Sequence, residues 1–176
     1  MHMPKHFFVY QKPSSAHLGI LRYGQLSWPI IIGRSGIVAR KREGDGATPL
    51  SSMTLLGSYA RKDRRKYFAV KGLPQYGIKD QDGWCDDPTS LRYNRPITLP
   101  SALSHERLKR SDNRYDRIGI LDYNMIARRR GFGSAIFLHQ CPDFTKGTEG
   151  CIALKEKDFK NLMRYLHKKT RFIVKK

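Results

Sequence analysis

Apolar residues in this 176-residue chain come in short runs, cut by fifteen glycines, nine prolines and polar turns. That punctuation limits most of the chain to strands, because a helix needs its apolar positions to recur over several turns. Phe7–Tyr10, His17–Tyr23, Leu26–Ile32, Pro49–Tyr59, Ile118–Leu121, Ala135–Leu138 and Thr170–Val174 each read as a strand. Gly24-Gln25 is a hairpin turn, and Pro29 predicts an edge position or a bulge in the third strand. Only Lys155–His167 carries helical spacing, with Phe159, Leu162, Met163 and Leu166 on one face. A second, short helix is expected within Leu99–Ser111, with Ser104 as its N-cap. Many strands and one good helix predict a mostly-β sandwich or barrel in one domain. That domain is expected over residues 7–176, with residues 1–6 as a tail or a cloning remnant.

The formal charge of +19 calls for an anionic partner surface, whether nucleic acid, anionic lipid or an anionic wall polymer. No zinc-knuckle spacing, RNP-like motif or helix-turn-helix pattern is present, and the charge is scattered, so a nucleic-acid module is the weaker reading. No apolar run reaches the length of a membrane span. The first residues lack the n-region and h-region of a signal peptide.

The chemistry concentrates between Gly133 and Leu154. An apolar strand delivers His139, a polar loop with Pro142 and Gly147 follows, and the chain meets Thr148-Glu149-Gly150-Cys151. A cysteine nucleophile needs a neighbouring base to take its proton, and His139 is the candidate. Gly150 lets the backbone turn sharply, so that its N–H and that of Cys151 can face a tetrahedral oxyanion. Thr148 and Gln140 are candidates for positioning the loop or the imidazole. A lone cysteine is more often a small buried hydrophobe. A zinc site drawn from Cys85, His139, Cys141 and Cys151 is a rival, but it lacks any C-x-x-C pair. Cys85 and Cys141 could be free or paired. The segment from Trp84 to Pro96 holds little periodicity and many functional side chains, which predicts a loop that binds or covers something.

His139 followed by Thr148-x-Gly150-Cys151-Ile152 resembles the catalytic signature of the YkuD-type L,D-transpeptidases of bacterial cell walls. Gly44-Asp45-Gly46-Ala47-Thr48-Pro49 resembles the G-D-x-x-T-P turn early in that domain, and suggests a brace near the cleft. The resemblance runs from about Phe7 to the C-terminus. It implies a β-sandwich with one or two short helices, no cofactor and no metal, and acyl transfer through a thioester on Cys151. The implied substrate is a diaminopimelate-containing peptidoglycan stem peptide. The product is a 3–3 cross-link, or a trimmed stem if water replaces the acceptor amine. Many members carry Arg two residues after the nucleophile, where this chain has Ala153; a 1–3 linkage is the alternative that this departure opens. Trp84, Asp86, Arg92, Tyr93, Arg95 and Thr148 are the expected substrate-binding residues, with the arginines on a stem carboxylate. The resemblance further implies a monomer at the cell envelope or periplasm, facing anionic wall polymer rather than nucleic acid.

Overall fold

A computed structural model describes residues 5–176. Residues 1–4 of the expected tail lie outside the described residues, and His6 already belongs to the first strand. The strands are β1 (His6–Gln11), β2 (Leu18–Tyr23), β3 (Leu26–Ile31), β4 (Ile37–Val38), β5 (Thr48–Pro49), β6 (Ser52–Ala60) and β7 (Gln75–Gly77). They continue as β8 (Asp82–Cys85), β9 (Arg95–Thr98), β10 (His105–Arg107), β11 (Arg117–Leu121), β12 (Phe137–Gln140), β13 (Ile152–Leu154) and β14 (Arg171–Lys175). The one α-helix among the described residues, α1 (Glu156–Met163), lies between β13 and β14.

The main sheet runs β11-β12-β13-β3-β2-β1-β14-β6-β7, and β11 also pairs with β6. That last pairing turns the expected sandwich into a barrel-like closed sheet. The physical reason is the length of β6. Its first residues, Ser52–Thr54, pair with β14, and Leu55–Ala60 pair with β11 on the other edge. One long strand thereby joins β14 to β11 and closes the ring, with the short β7 left as an outer edge. Pro29 is paired with Ile20 of β2, whereas β13 meets β3 only at Ile31. The missing donor of Pro29 thus falls where the ladder is interrupted.

Strand alternation fills the ring. Phe7, Val9, Leu21, Met53, Leu55, Phe172 and Val174 all point inward and are buried. Full burial of such side chains contributes about 1.5–3 kcal/mol each. Helix α1 has eight residues, well below the ~12–15 that an isolated helix needs. It is held by Phe159 and Leu162 in the same core, and by a 2.9 Å bond from Trp28 Nε1 to Asn161 Oδ1.

A three-stranded sheet, β10-β8-β9, lies outside the ring. Its Trp84 packs with Ile118, Ile120 and Phe137 from the outward face of β11 and β12. This corrects two expectations. His105–Arg107 is a strand rather than part of a helix capped by Ser104, because antiparallel pairing with β8 fixes it. Trp84 and Arg95 stand on paired strands, so only the residues between β8 and β9 form a loop.

Candidate active site

The site follows from period-two alternation on two adjacent parallel strands. β12 and β13 run in register, Leu138 opposite Ile152 and His139 opposite Ala153. Leu138, Ile152 and Leu154 enter the ring core, while Phe137 and Cys151 belong to the outer cluster. His139 shares the outer face with Phe137, two residues away. Cys151 and His139 therefore open onto one cavity of about 230 Å³, lined also by Glu106, Arg110, Arg114, Tyr115, Gly147, Thr148 and Glu149.

The Cys151 side chain is 7% exposed. Its thiol donates to the Ala135 carbonyl at 3.2 Å and accepts the Phe137 N–H at 3.3 Å. Burial pushes the thiol up to about 12, against the smaller opposing effect of the Phe137 N–H. Burial also lowers His139 to about 4. Burial thus favours the neutral form of both groups. The imidazole's tautomer is fixed by its partners. Nδ1 faces two carbonyls, Gln140 O at 2.8 Å and Arg114 O at 3.2 Å. Carbonyls only accept, so Nδ1 carries the proton and Nε2 keeps its lone pair. Tyr115 stands edge-on to the ring, with centroids 5.1 Å apart.

The loop before Cys151 is pinned by two threonines. Thr148 Oγ1 donates to Cys151 O at 2.6 Å and accepts the Gly150 N–H at 3.1 Å. The Gly150 N–H, expected at the oxyanion, is therefore engaged within the turn. Thr48 Oγ1 donates to Gly150 O at 2.9 Å and accepts Gly33 N–H at 2.9 Å. Gly150 has φ +133°, and a Cβ there would stand 2.7 Å from Ala47 O. Asp45 holds the other side of this turn. It accepts the Ala47 N–H at 2.9 Å, the Arg42 N–H at 2.7 Å and Lys41 Nζ at 2.5 Å. The Gly44–Pro49 segment is thus a brace that reaches the Cys151 loop directly.

Other expected residues are placed elsewhere. Trp84 is buried and donates from Nε1 to Asn94 Oδ1 at 3.0 Å. Tyr93 is buried, with its hydroxyl on Glu43. Arg95 donates to the carbonyls of Asn94 and Met125. Arg92 is exposed, and Asp86 Oδ1 is buried without a partner. None of these five lines the Cys151 cavity; of the expected binding residues, Thr148 alone does. Gln140 ties the segment before β11 down, donating to Asn113 O at 2.9 Å and accepting Arg117 Nη1 at 2.6 Å. Sequence reasoning missed Glu106, Arg110, Arg114 and Tyr115 as lining residues. Their only signal was a run of mixed charge, which resembles any solvated face. Asn94 was missed too. It accepts both Trp84 Nε1 and the Ala135 N–H, and so couples the outer sheet to the residue whose carbonyl holds the thiol.

The three cysteines are free and buried. Cys85, Cys141 and Cys151 pack in three different clusters, so the zinc quartet is not assembled. Ala153 faces Ile31 and Cys141 rather than the cavity.

The family model of the YkuD L,D-transpeptidase catalytic domain matches residues 8–174. The chain belongs to that family. No curated protein sequence matches it. Among solved structures, it is similar to Mycobacterium tuberculosis L,D-transpeptidase 1, at 11% identity and TM-score 0.42 over 97% of this chain and 62% of that one. It is also similar to Bdellovibrio bacteriovorus Bd1075, at 15% identity and TM-score 0.47, covering 98% of this chain and 48% of that one. A third is Mycobacterium tuberculosis L,D-transpeptidase 3, at 14% identity and TM-score 0.42 over 97% and 61%. The chain thus spans about half to three-fifths of the length of these structures.

Proposed function

We propose that this chain is a cysteine-dependent L,D-transpeptidase acting on diaminopimelate-containing peptidoglycan stem peptides at the cell envelope, with Cys151 as nucleophile and His139 as base. The observation that carries this reading is the shared cavity of Cys151 and a His139 whose Nε2 lone pair is left free by tautomer.

In the first half-reaction, Cys151 Sγ attacks the carbonyl on the L-centre side of an L–D peptide bond. The thiol proton passes to His139 Nε2 as the S–C bond forms. The C–N bond then breaks, and the leaving amine departs with that proton. In the second half, an acceptor amine attacks the thioester and gives its proton to His139. The C–S bond breaks, and the sulfur is reprotonated. Because both groups start neutral, proton transfer accompanies attack rather than preceding it. The Cys151 N–H is the backbone donor we assign to the oxyanion, since Thr148 holds that of Gly150. Arg114 lines the cavity and suits a stem carboxylate. Water in place of the amine makes the same site an L,D-carboxypeptidase.

Position 153 bears on the linkage. A residue there faces packed Ile31 and Cys141, so Ala153 contributes no donor-stem contact. The linkage we propose is 3–3 or, given Ala153, the 1–3 alternative in which the donor is cut at its first L–D bond. The test is incubation with purified muropeptides, with products sequenced by tandem mass spectrometry. Cross-linked or trimmed stems that vanish with Cys151→Ala support the activity, and their absence from active-folded protein refutes it. Dimers that are all 3–3 refute the 1–3 alternative.

A further inference from the structure

Among the described residues, the most exposed large apolar side chains sit together, away from the Cys151 cavity. Ile126 is 94% exposed and Leu91 is 83% exposed. They belong to two loops, one between β8 and β9 and one between β11 and β12, and both line one shallow cavity of about 220 Å³. The loops are stapled tip to tip. Arg128 Nη1 donates to Leu91 O at 3.3 Å, and Arg130 Nη1 donates to Thr89 O at 3.1 Å. Arg92, Arg128, Arg129 and Arg130 are all exposed, and among the described residues none of them has an ion-pair partner. Of the acids in and beside these loops, Asp87 holds the N–H and hydroxyl of Thr89, and Glu43 holds the Tyr93 hydroxyl.

Large aliphatic side chains standing in water are unfavourable, and four unneutralised arginines around them repel one another. One surface relieves both: an acyl layer beneath a sheet of phosphates. A purely ionic polymer would neutralise the arginines and leave Leu91 and Ile126 wet. We propose that this two-loop tip docks onto an anionic phospholipid bilayer, with Leu91 and Ile126 entering the acyl region and Arg92, Arg128, Arg129 and Arg130 at the phosphates. The proposal stands on surface chemistry alone and does not depend on the catalytic reading.

The test uses the full chain and sedimentation with vesicles of phosphatidylglycerol and phosphatidylcholine, against phosphatidylcholine alone. Partitioning is expected onto the anionic vesicles only, and to fall as salt is raised. Exchange of the three consecutive arginines for glutamine should weaken it about 100-fold, at about five-fold for each charge. Ile126→Asp and Leu91→Asp should each weaken it about ten-fold or more, while leaving binding to soluble polyphosphate unchanged. Ile126→Trp, in the same vesicles, should give a blue-shifted emission quenched by brominated acyl chains. No binding to anionic vesicles overturns the proposal. So does binding that both aspartate variants leave intact, or tryptophan emission that stays at its aqueous wavelength, since either assigns the patch to a soluble polyanion instead. All the altered side chains are exposed, and an unchanged melting temperature checks that each variant is folded.

Discussion

Alkylation of Cys151 tests the neutral resting site most directly. Burial lifts its thiol from the ordinary 9.0 to about 12. At pH 7 the thiolate fraction therefore falls from ~1% to ~0.001%, a loss of about a thousand-fold. The more basic sulfur is also more nucleophilic, which returns roughly three-fold for each ten-fold lost. The net expectation is alkylation about 40-fold slower than that of an ordinary thiol at pH 7, before any further slowing from its 7% exposure. The rate should climb with pH to beyond about pH 11 without a plateau. Iodoacetamide labelling followed by peptide mass mapping reads Cys151 separately from Cys85 and Cys141, so no background variants are needed. A rate already flat at about pH 6 would mean a standing thiolate. That result refutes the argument that burial dominates this site, and would make His139 a charged partner rather than a neutral base.

Three further outcomes follow from the same contacts. Thr48→Val removes the hydroxyl that serves both Gly150 O and Gly33 N–H in a fully buried setting, and should cost about 2–4 kcal/mol by chemical denaturation, with Thr48→Ser restoring most of it. Gly150→Ala forces a Cβ to within 2.7 Å of Ala47 O at φ +133°, so it should lower the melting temperature by several degrees and abolish turnover together. His139 is held neutral, its value lowered from 6.5 to about 4, so between those pH values the unfolded chain binds more protons than the folded one. Stability should therefore fall by about 3 kcal/mol as pH drops from about 6.5 to about 4; denaturation of His139→Gln across that range should lack this component, and an unchanged slope would exclude it.

The sequence showed best what is settled by neighbours. Phe7 and Val9, Phe172 and Val174, and the Ile118–Leu121 run announce their strands through alternation or continuous apolarity, and the strands are there. Phe159 and Leu162 likewise announce the helix and its buried face. The common cavity of His139 and Cys151 was legible because both sit on adjoining strands joined by one loop. What escaped was decided by distant partners. His105–Arg107 has no strand-like pattern, and only its pairing with Gly83–Cys85 extends it. Ring closure depends on β6 meeting β14 and β11 at once, which no local pattern reveals. Tyr93 and Arg95 resemble recognition residues by type, yet Glu43 and the carbonyls of Asn94 and Met125 use them for structure. Arg114 and Tyr115 line the cavity from a segment that Gln140 and His139 of β12 hold by the carbonyls of Asn113 and Arg114.

The ring also fixes an order of events. β14 is inserted between β1 and β6, parallel to the first and antiparallel to the second, and Phe172 touches Phe7. During synthesis the meander of β1, β2 and β3 must therefore wait, with one flank bare, until Arg171–Lys175 has emerged. A nascent chain stalled before Arg171 would expose two sticky margins to any passing strand, which makes the five residues of β14 the ones that decide between a closed barrel and an aggregate.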